Sequence, residues 1–270
     1  MNDPVVEAAG LAARAELGWR DGSGLHATAF TPLVIDDTVV AALPFDQTGT
    51  ARAIADATAA VLVLSDSRMA LRGWRSWAQP VRSHVTADRD GDWTWTGALD
   101  QEVRKHPPSR LLIDTAIQRR EHWWYVPRWV VRLAPAGAAM AVTRRAGPDD
   151  AVLFEHGDGG LRARTVAVDD WHAAEMRLTA LGPAAAADAG PVPALAFTHD
   201  FSIPDMERRC TFEVVGSHRG NVLHVAARRG RVALEPPAGL IRRLSRHWRR
   251  ERECRRALAA YDAGSSLAAT

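Results

Sequence analysis

The 270-residue chain holds only two cysteines, Cys210 and Cys254, and a single lysine, Lys105. Two thiols so far apart exclude a disulfide framework and a cysteine-based zinc ribbon, so a reducing compartment is expected and the protein is assigned to the cytoplasm. No stretch approaches ~18 uninterrupted apolar residues, which excludes a membrane-spanning helix, and a membrane is not expected among the partners. The opening Met1 to Glu7 lacks a basic region followed by an apolar run, so no signal peptide is expected. No Gly-x-Gly-x-x-Gly opens a helix after a strand; the Gly157 to Gly160 turn lies between two predicted strands, which argues against a Rossmann dinucleotide site. The ten histidines include no His-Glu-x-x-His and no close pair, and no metal site is expected. Ser65, Asp66 and Ser109 lack the context of a nucleophile elbow, and no residue is singled out as catalytic.

What is present is an ordinary globular composition, 47% hydrophobic and 24% charged with a net charge of +2. Apart from Lys105 the strong cations are all arginine, a global preference that gains electrostatic meaning only where they cluster. The densest mixture of aromatic surface and fixed positive charge is Arg119 to Pro135, with three of the ten tryptophans, one of the two tyrosines and four arginines. Within it Trp123 to Leu133 reads as a strand, with Pro135 marking its end. A second cluster, Arg242, Arg243, Arg246, Arg249, Arg250, Arg252, Arg255 and Arg256, lies on a predicted helix over Pro236 to Tyr261. It reads as the solvated face of an amphipathic helix, partly offset by Glu251 and Glu253. No helix-turn-helix or RNA-binding signature accompanies it, so nucleic acid is not expected as a partner.

In chain order, Pro4 to Leu17 has helical spacing, with Asp3 to cap it and Gly18 to end it. Thr28 to Ile35 and Thr38 to Phe45 read as a hairpin turning at Asp36-Asp37. A short helix over Thr50 to Ala59 leads into Ala60 to Leu64, an apolar run suited to a strand buried on both faces. Trp74 to Thr86 is strand-like but interrupted by Pro80, Gly97 to Lys105 is helical, and Ser109 caps a second short helix through Ile117. Gly147-Pro148-Asp149-Asp150 is the best internal boundary, and Val152 to Glu155 pairs with Leu161 to Val168. Trp171 to Leu181 fits helix or strand, and Gly182 to Pro193 is a loop by composition. Ala194 to Thr198, Thr211 to Val215 and Asn221 to Ala227 are further strands, and Gly264 falls past the expected end of the last helix. About ten short strands with a few helices make a mainly β protein of barrel or sandwich type.

The order hairpin, short helix, buried strand, interrupted basic strand, helical crossover and aromatic strand resembles the split β-barrel of the pyridoxamine 5′-phosphate oxidase-like superfamily. The resemblance is carried by Leu33 to Phe45, Ala51 to Asp66, Trp74 to Thr86 and Trp123 to Pro135. It covers roughly residues 25–145 as the split-barrel domain, which leaves the N-terminal helix and lead-in over 1–24 and the strand-rich region with the basic helix over 150–270. It further implies a homodimeric, FMN-binding flavoprotein, an oxidoreductase using flavin mononucleotide or a deazaflavin on a small organic substrate. A haem-binding member, with His122 or His156 as a candidate ligand, and a non-catalytic binding module are the alternatives. In flavin-binding members a strand bearing glutamine and arginine lies along the cofactor, and Gln79-Pro80-Val81-Arg82 is similar to it. The family's Ser-x-Lys element has no counterpart, because Lys105 stands alone.

The expected cofactor site therefore comprises Arg72, Trp74, Arg75, Trp77, Gln79, Arg82 and Trp124, arginines for a phosphate and tryptophans for a flat ring. Arg68, just upstream, is a further candidate cation. Gln79 and Arg82 are three residues apart, so only a bulge at Pro80 would put them on one face. The aromatic strand and the last helix offer more apolar surface than one barrel needs, which is the physical argument for the homodimer.

Overall fold

The computed structural model describes residues 3–66, 68, 75–113, 123–147, 149–183 and 190–268, with the backbone alone at 111, 113 and 265–268. Helix α1 (Pro4–Leu11) opens on Asp3, whose carboxylate accepts from the Val5 amide at 2.8 Å. It stops six residues earlier than the spacing predicts, and Leu17 and Gly18 lie instead in strand β1 (Ala15–Asp21). Alanine-rich spacing does not by itself separate helix from strand. What settles β1 is its place between two partners, with β2 (Gly24–Phe30) on one side and β5 (Ala59–Leu64) on the other.

Strands β3 (Pro32–Ile35) and β4 (Thr38–Pro44) form the expected hairpin. Asp36 and Asp37 both take positive φ, 50° and 54°, as a two-residue turn that follows the strand twist demands. After α2 (Thr48–Ala55) and β5 comes β6 (Trp77–Asp88), followed by α3 (Ala98–Lys105), α4 (Arg110–Ile113), β7 (Arg128–Pro135) and the short β8 (Met140–Ala141). These strands make one curled half-barrel in the order β2-β1-β5-β6-β7-β4-β3, with β8 against β6. The protein is thus mainly β with peripheral helices, as the strand count predicts.

Two strands differ from expectation. Trp123 to Tyr125 is a 3-10 turn, and the aromatic strand begins only at Arg128, after Pro127. β6 runs in register through Pro80, opposite Val61, with no bulge. Pro80 is tolerated because its edge faces the gap between β8, which pairs up to Ala78, and β7, which pairs from Val81. No ladder N–H is required there, and the Pro80 carbonyl accepts from the Ala136 amide at 2.8 Å.

Residues beyond Asp150 form a second unit. Strands β9 (Asp150–Gly157), β10 (Gly160–Val168), β11 (Glu175–Ala180), β12 (Val192–Phe201), β13 (Arg209–Arg219) and β14 (Val222–Gly230) close into a barrel in the order β10-β11-β14-β13-β12-β9. The ambiguous Trp171 to Leu181 segment is strand from Glu175 to Ala180, after a turn at Trp171 and His172. Alternate residues point inward, where Leu153, Val166, Met176, Ala196, Phe212 and Val214 fill the interior. The intervening residues Val152, Phe154, Leu195 and Phe197 point out, onto the half-barrel.

β5 joins the two units. Leu62 and Leu64 face a core with Leu17, Val5 of α1 and Ile54 of α2, while Val61 and Val63 face Phe154 and Phe197 of the second barrel. All four are at most 1% exposed, which is what a continuous apolar run implies. The last helix, α5 (Leu240–Ala268), continues through Gly264 and packs Cys254, Leu258 and Tyr261 over Phe45, Trp124 and Trp129.

Two substitutions test this core. Leu62→Ala should destabilise by ~2 to 5 kcal/mol as a buried truncation in denaturant unfolding. Gly18→Ala should destabilise by ~1 to 3 kcal/mol, because a Cβ there would overlap the Phe154 ring. A neutral Gly18→Ala would mean that the two units do not pack through this point.

Candidate anion-binding site

Of the seven residues singled out from sequence, the five that are described are not gathered in one place. Arg72 and Trp74 lie outside the described residues, as do Arg119 to His122 and with them the candidate ligand His122. Arg75 is exposed. Trp77 and Gln79 point from β6 toward the core shared with α1 and α2, and Gln79 Nε2 donates to the Gly137 carbonyl at 3.4 Å. Arg82, three residues on along a strand without a bulge, is exposed on the opposite face. Trp124 is buried beneath α5, edge-on to Tyr125 and His247. His156 sits at a barrel turn beside Arg20, with Nε2 and Nη1 3.1 Å apart. Arg68 is committed to Asp66 and Asp200 and lies 4.3 Å from the centre of the Phe201 ring.

A different set converges on a cavity of about 60 Å³ between the half-barrel, the start of β13 and α5. Arg14, from the link between α1 and β1, is 4% exposed and donates to the Thr31 hydroxyl at 3.2 Å. Arg209 enters from β13. Arg250 enters from α5, with its Nε 3.1 Å from Asp46. Glu102 of α3, His106, Tyr125 and Gln47 complete the polar lining, against apolar walls from Phe30, Leu33 and Leu43.

Directed hydrogen bonds fix the protonation pattern. Glu102 Oε1 accepts from Tyr125 Oη at 2.5 Å and from Ser109 Oγ at 2.8 Å. Ser109 has then used its one hydrogen, so its 2.9 Å contact to His106 Nδ1 makes that nitrogen the donor. His106 Nε2 is left as an acceptor at the cavity. Burial, reinforced by Arg209 and Arg14, holds His106 down at about 2, so the ring is neutral at physiological pH. Burial and Glu102 push Tyr125 up to about 12, keeping its hydroxyl protonated. Arg14 is lowered to about 9 by burial and by Arg209, and stays cationic at neutral pH.

Arg14 Nη2, Glu102 Oε2 and His106 Nε2 are buried and have no protein partner. A guanidinium nitrogen left without an acceptor is expensive to bury, so a ligand or water is needed to complete this cavity. Since a single water occupies ~10 to 15 Å³ on this measure, the space suits a few waters or one compact oxyanion. Arginines would bind the negative oxygens, and His106 Nε2 or Glu102 Oε2 would accept from a hydroxyl. The sequence signal was weak, because Arg14, His106, Arg209 and Arg250 come from four separate segments and none lies in a dense cluster with the others.

The cavity is too small for an isoalloxazine ring or a porphyrin, whose pockets run to several hundred Å³. The expected tryptophan slot is also not assembled among the described residues, since Trp77 and Trp124 are packed in separate cores. This cavity therefore does not fit a whole flavin or haem.

A second buried polar group lies between the two β units. Glu16 of β1 is paired with Arg145, and His199 Nε2 of β12 lies 2.9 Å from Glu16 and 2.8 Å from Arg145. Arg145 Nε also donates to Ser65 at 2.8 Å. Burial alone would raise the Glu16 carboxyl, but Arg145 and His199 hold it below the ordinary range. Asp66 is likewise held down, chiefly by Arg68 and His199, against the effect of burial.

No protein-family model matches the chain, and no curated protein matches its sequence. Solved structures similar to part of it include the conserved hypothetical protein Rv2991 from Mycobacterium tuberculosis, 14% identical, over 51% of this chain and 81% of that one, with a TM-score of 0.38. HutZ, the heme storage protein from Vibrio cholerae, is 9% identical over 51% of this chain and 91% of its own, with a TM-score of 0.36. PhzG from Burkholderia lata 383, in complex with tetrahydrophenazine-1-carboxylic acid, is 13% identical over 60% and 87%, with a TM-score of 0.32.

Acid unfolding tests the electrostatics. Glu155, which burial alone would raise, is held at about 2 by His218 and Arg164. Glu16 and Asp66 are shifted in the same direction. In the unfolded chain these carboxyls take up protons at higher pH than in the folded one. Their stabilisation is therefore complete above about pH 4.5 and should be lost progressively as pH falls toward 2. Thermal midpoints measured from pH 6 to pH 2 should show this decline, with a smaller loss in Glu155→Gln.

Proposed function

We propose that the protein binds a small organic or inorganic oxyanion, of phosphate or hydroxy-carboxylate type, in the cavity lined by Arg14, Arg209, Arg250 and His106. The reading rests on one observation: a buried, cationic Arg14 Nη2 and a neutral His106 Nε2 acceptor line the same small cavity without protein partners. A cationic donor beside a neutral acceptor favours an anion that also carries a hydroxyl, such as a monoprotonated phosphate or a 2-hydroxy acid. No group in the cavity is activated as a nucleophile. His106 is too weakly basic and Tyr125 too weakly acidic for proton transfer near neutral pH, which supports binding over catalysis.

Flavin mononucleotide enters this reading only through its phosphate. If that dianion occupied the cavity, its ring would lie outside, and the flavin-dependent oxidoreductase expected from sequence would need a ring site built elsewhere. The homodimer is a separate matter. Part of the apolar surface that argues for it, Trp124 and Trp129, is covered by α5 of the same chain.

Calorimetric titration with inorganic phosphate, a 2-hydroxy acid and flavin mononucleotide should give saturable binding of at least one. Arg14→Gln and Arg250→Gln should each weaken it by ~1.5 to 3 kcal/mol, the range for hydrogen bonds to a charged group. Arg250 is half-buried on α5, so its variant should fold even if the Arg14 variant does not. Competition between phosphate and the flavin would place both in one cavity. Absence of saturable binding by all three at millimolar concentration removes the proposal.

A further inference from the structure

Helix α5 has two faces with different tasks. His247, Cys254, Leu258 and Tyr261 turn inward onto Trp124, Phe45 and Trp129. The outward face carries large apolar side chains that a solvated helix has no reason to show. Ile241 is 83% exposed, Trp248 57% and Leu244 42%, at the i, i+3, i+7 spacing of one stripe, with Leu240 72% exposed at the helix start. Ile203, 56% exposed, belongs to the loop whose Glu207 pairs with Arg243 and so extends the apolar character beside the helix.

The arginines of α5 divide in the same way. Arg243, Arg246, Arg250 and Arg255 are engaged by Glu207, Glu235, Asp46 and Glu251. Arg242, Arg249, Arg252 and Arg256 are exposed, and among the described residues none has a hydrogen bond or ion pair. At 3.6 residues per turn these four fall on one flank of the Ile241, Leu244 and Trp248 stripe. Glu253 is the one exposed acid in this part of the helix. Arg242 and Arg249 also line an open groove with Ser245, Arg231 and Arg246, where Glu235 is already paired with the last two and leaves Arg242 and Arg249 for phosphate oxygens.

We infer that the outward face of α5 docks on an anionic lipid surface, with Ile241, Leu244 and Trp248 entering the headgroup and acyl boundary and Arg242, Arg249, Arg252 and Arg256 meeting lipid phosphates. Charge and apolarity have to act together for this partner. A nucleic acid would use the arginines but gives no burial to isoleucine and leucine side chains. A second copy of the helix would bury the stripe but set the unpaired arginines of each copy against the other's. A bilayer of anionic lipid satisfies both stripes at once. This differs from the expectation drawn from hydropathy, which tests for spanning helices; no described helix is long and apolar enough to cross a membrane. It uses none of the cavity side chains, so it stands or falls separately from oxyanion binding.

The test is co-sedimentation of the full chain with vesicles of phosphatidylcholine alone or mixed with phosphatidylglycerol. Partitioning should favour the anionic vesicles at least about tenfold and weaken with added salt. The triple variant Ile241→Ser, Leu244→Ser, Trp248→Ser and the quadruple variant replacing Arg242, Arg249, Arg252 and Arg256 by Gln should each lose about tenfold or more, with unchanged thermal midpoints. The inference is overturned by equal or absent partitioning on both vesicle types, or by full retention in the triple variant, which would signify mere electrostatic adherence. It is also overturned if a duplex oligonucleotide displaces the protein from vesicles while binding the triple variant normally. Vesicle-free light scattering showing a dimer that the triple variant abolishes would give the stripe to a second copy instead.

Discussion

The structure depends on one close approach, the ring of Phe154 lying directly on the backbone of β1 at Gly18. A sheet face that meets another barrel must shed its side-chain layer somewhere if the two backbones are to come near. Gly18 provides that gap, and Val61, Val63, Ala78, Leu195 and Phe197 fill the space around it. The half-barrel alone would expose one face of β5, an apolar strand at the centre of its sheet. The second barrel covers that face within the same chain, so two β units that would each be incomplete share one dry layer.

Polar groups fix how this layer is aligned. Apolar contacts tolerate sliding, whereas Glu16 on β1 must meet both Arg145 and His199, one from the connection between the units and one from β12. Arg68 repeats the arrangement by joining Asp66, at the end of the half-barrel core, to Asp200 on β12. Buried ion pairs of this kind add little net stability, since desolvation offsets most of the attraction. Removing one member is costly, however, and so is any registration that separates the partners. The network therefore selects a single docking of barrel on half-barrel while the apolar layer supplies the favourable free energy.

Much of this architecture was legible where one local signal sufficed. The run Ala60 to Leu64 suits a strand buried on both faces, Asp36-Asp37 reads as a tight turn, and the turn over His156 to Gly160 reads as a hairpin, and all three are so in the fold. Reading failed where local and tertiary demands conflict. The alanine spacing before Gly18 suits a helix, and the glycine looks like its stop, until the Phe154 ring more than a hundred residues away supplies the real reason for a missing Cβ. Pro80 looks like an interruption until the gap between β7 and β8 shows that its missing N–H faces no partner. Closure of the second barrel was hidden for the same reason, because pairing of β10 with β11 and β11 with β14 joins strands whose segments carry no mutual signature.

The site was the least legible part, and for an electrostatic reason. A search for arginines near tryptophans in sequence selects stretches such as Trp74 to Arg82, but along a strand neighbouring side chains diverge, and charges close in sequence tend to be solvated separately. A cavity that holds an anion needs the reverse arrangement, cations that would repel one another brought together from distant segments and kept there by burial. Arg14, Arg209 and Arg250 are brought together from such segments, with Arg14 buried, Arg250 partly buried and Arg209 exposed: one follows α1, one begins β13 and one sits on α5. Their mutual repulsion is visible in the lowering of Arg14 by Arg209 and of His106 by all three. Asp46 answers Arg250, while Arg14 Nη2 is left without an acceptor. Glu102 and Asp66 offset part of that charge, but Arg14 Nη2 still needs an acceptor, and a bound oxyanion would supply one where folding alone does not.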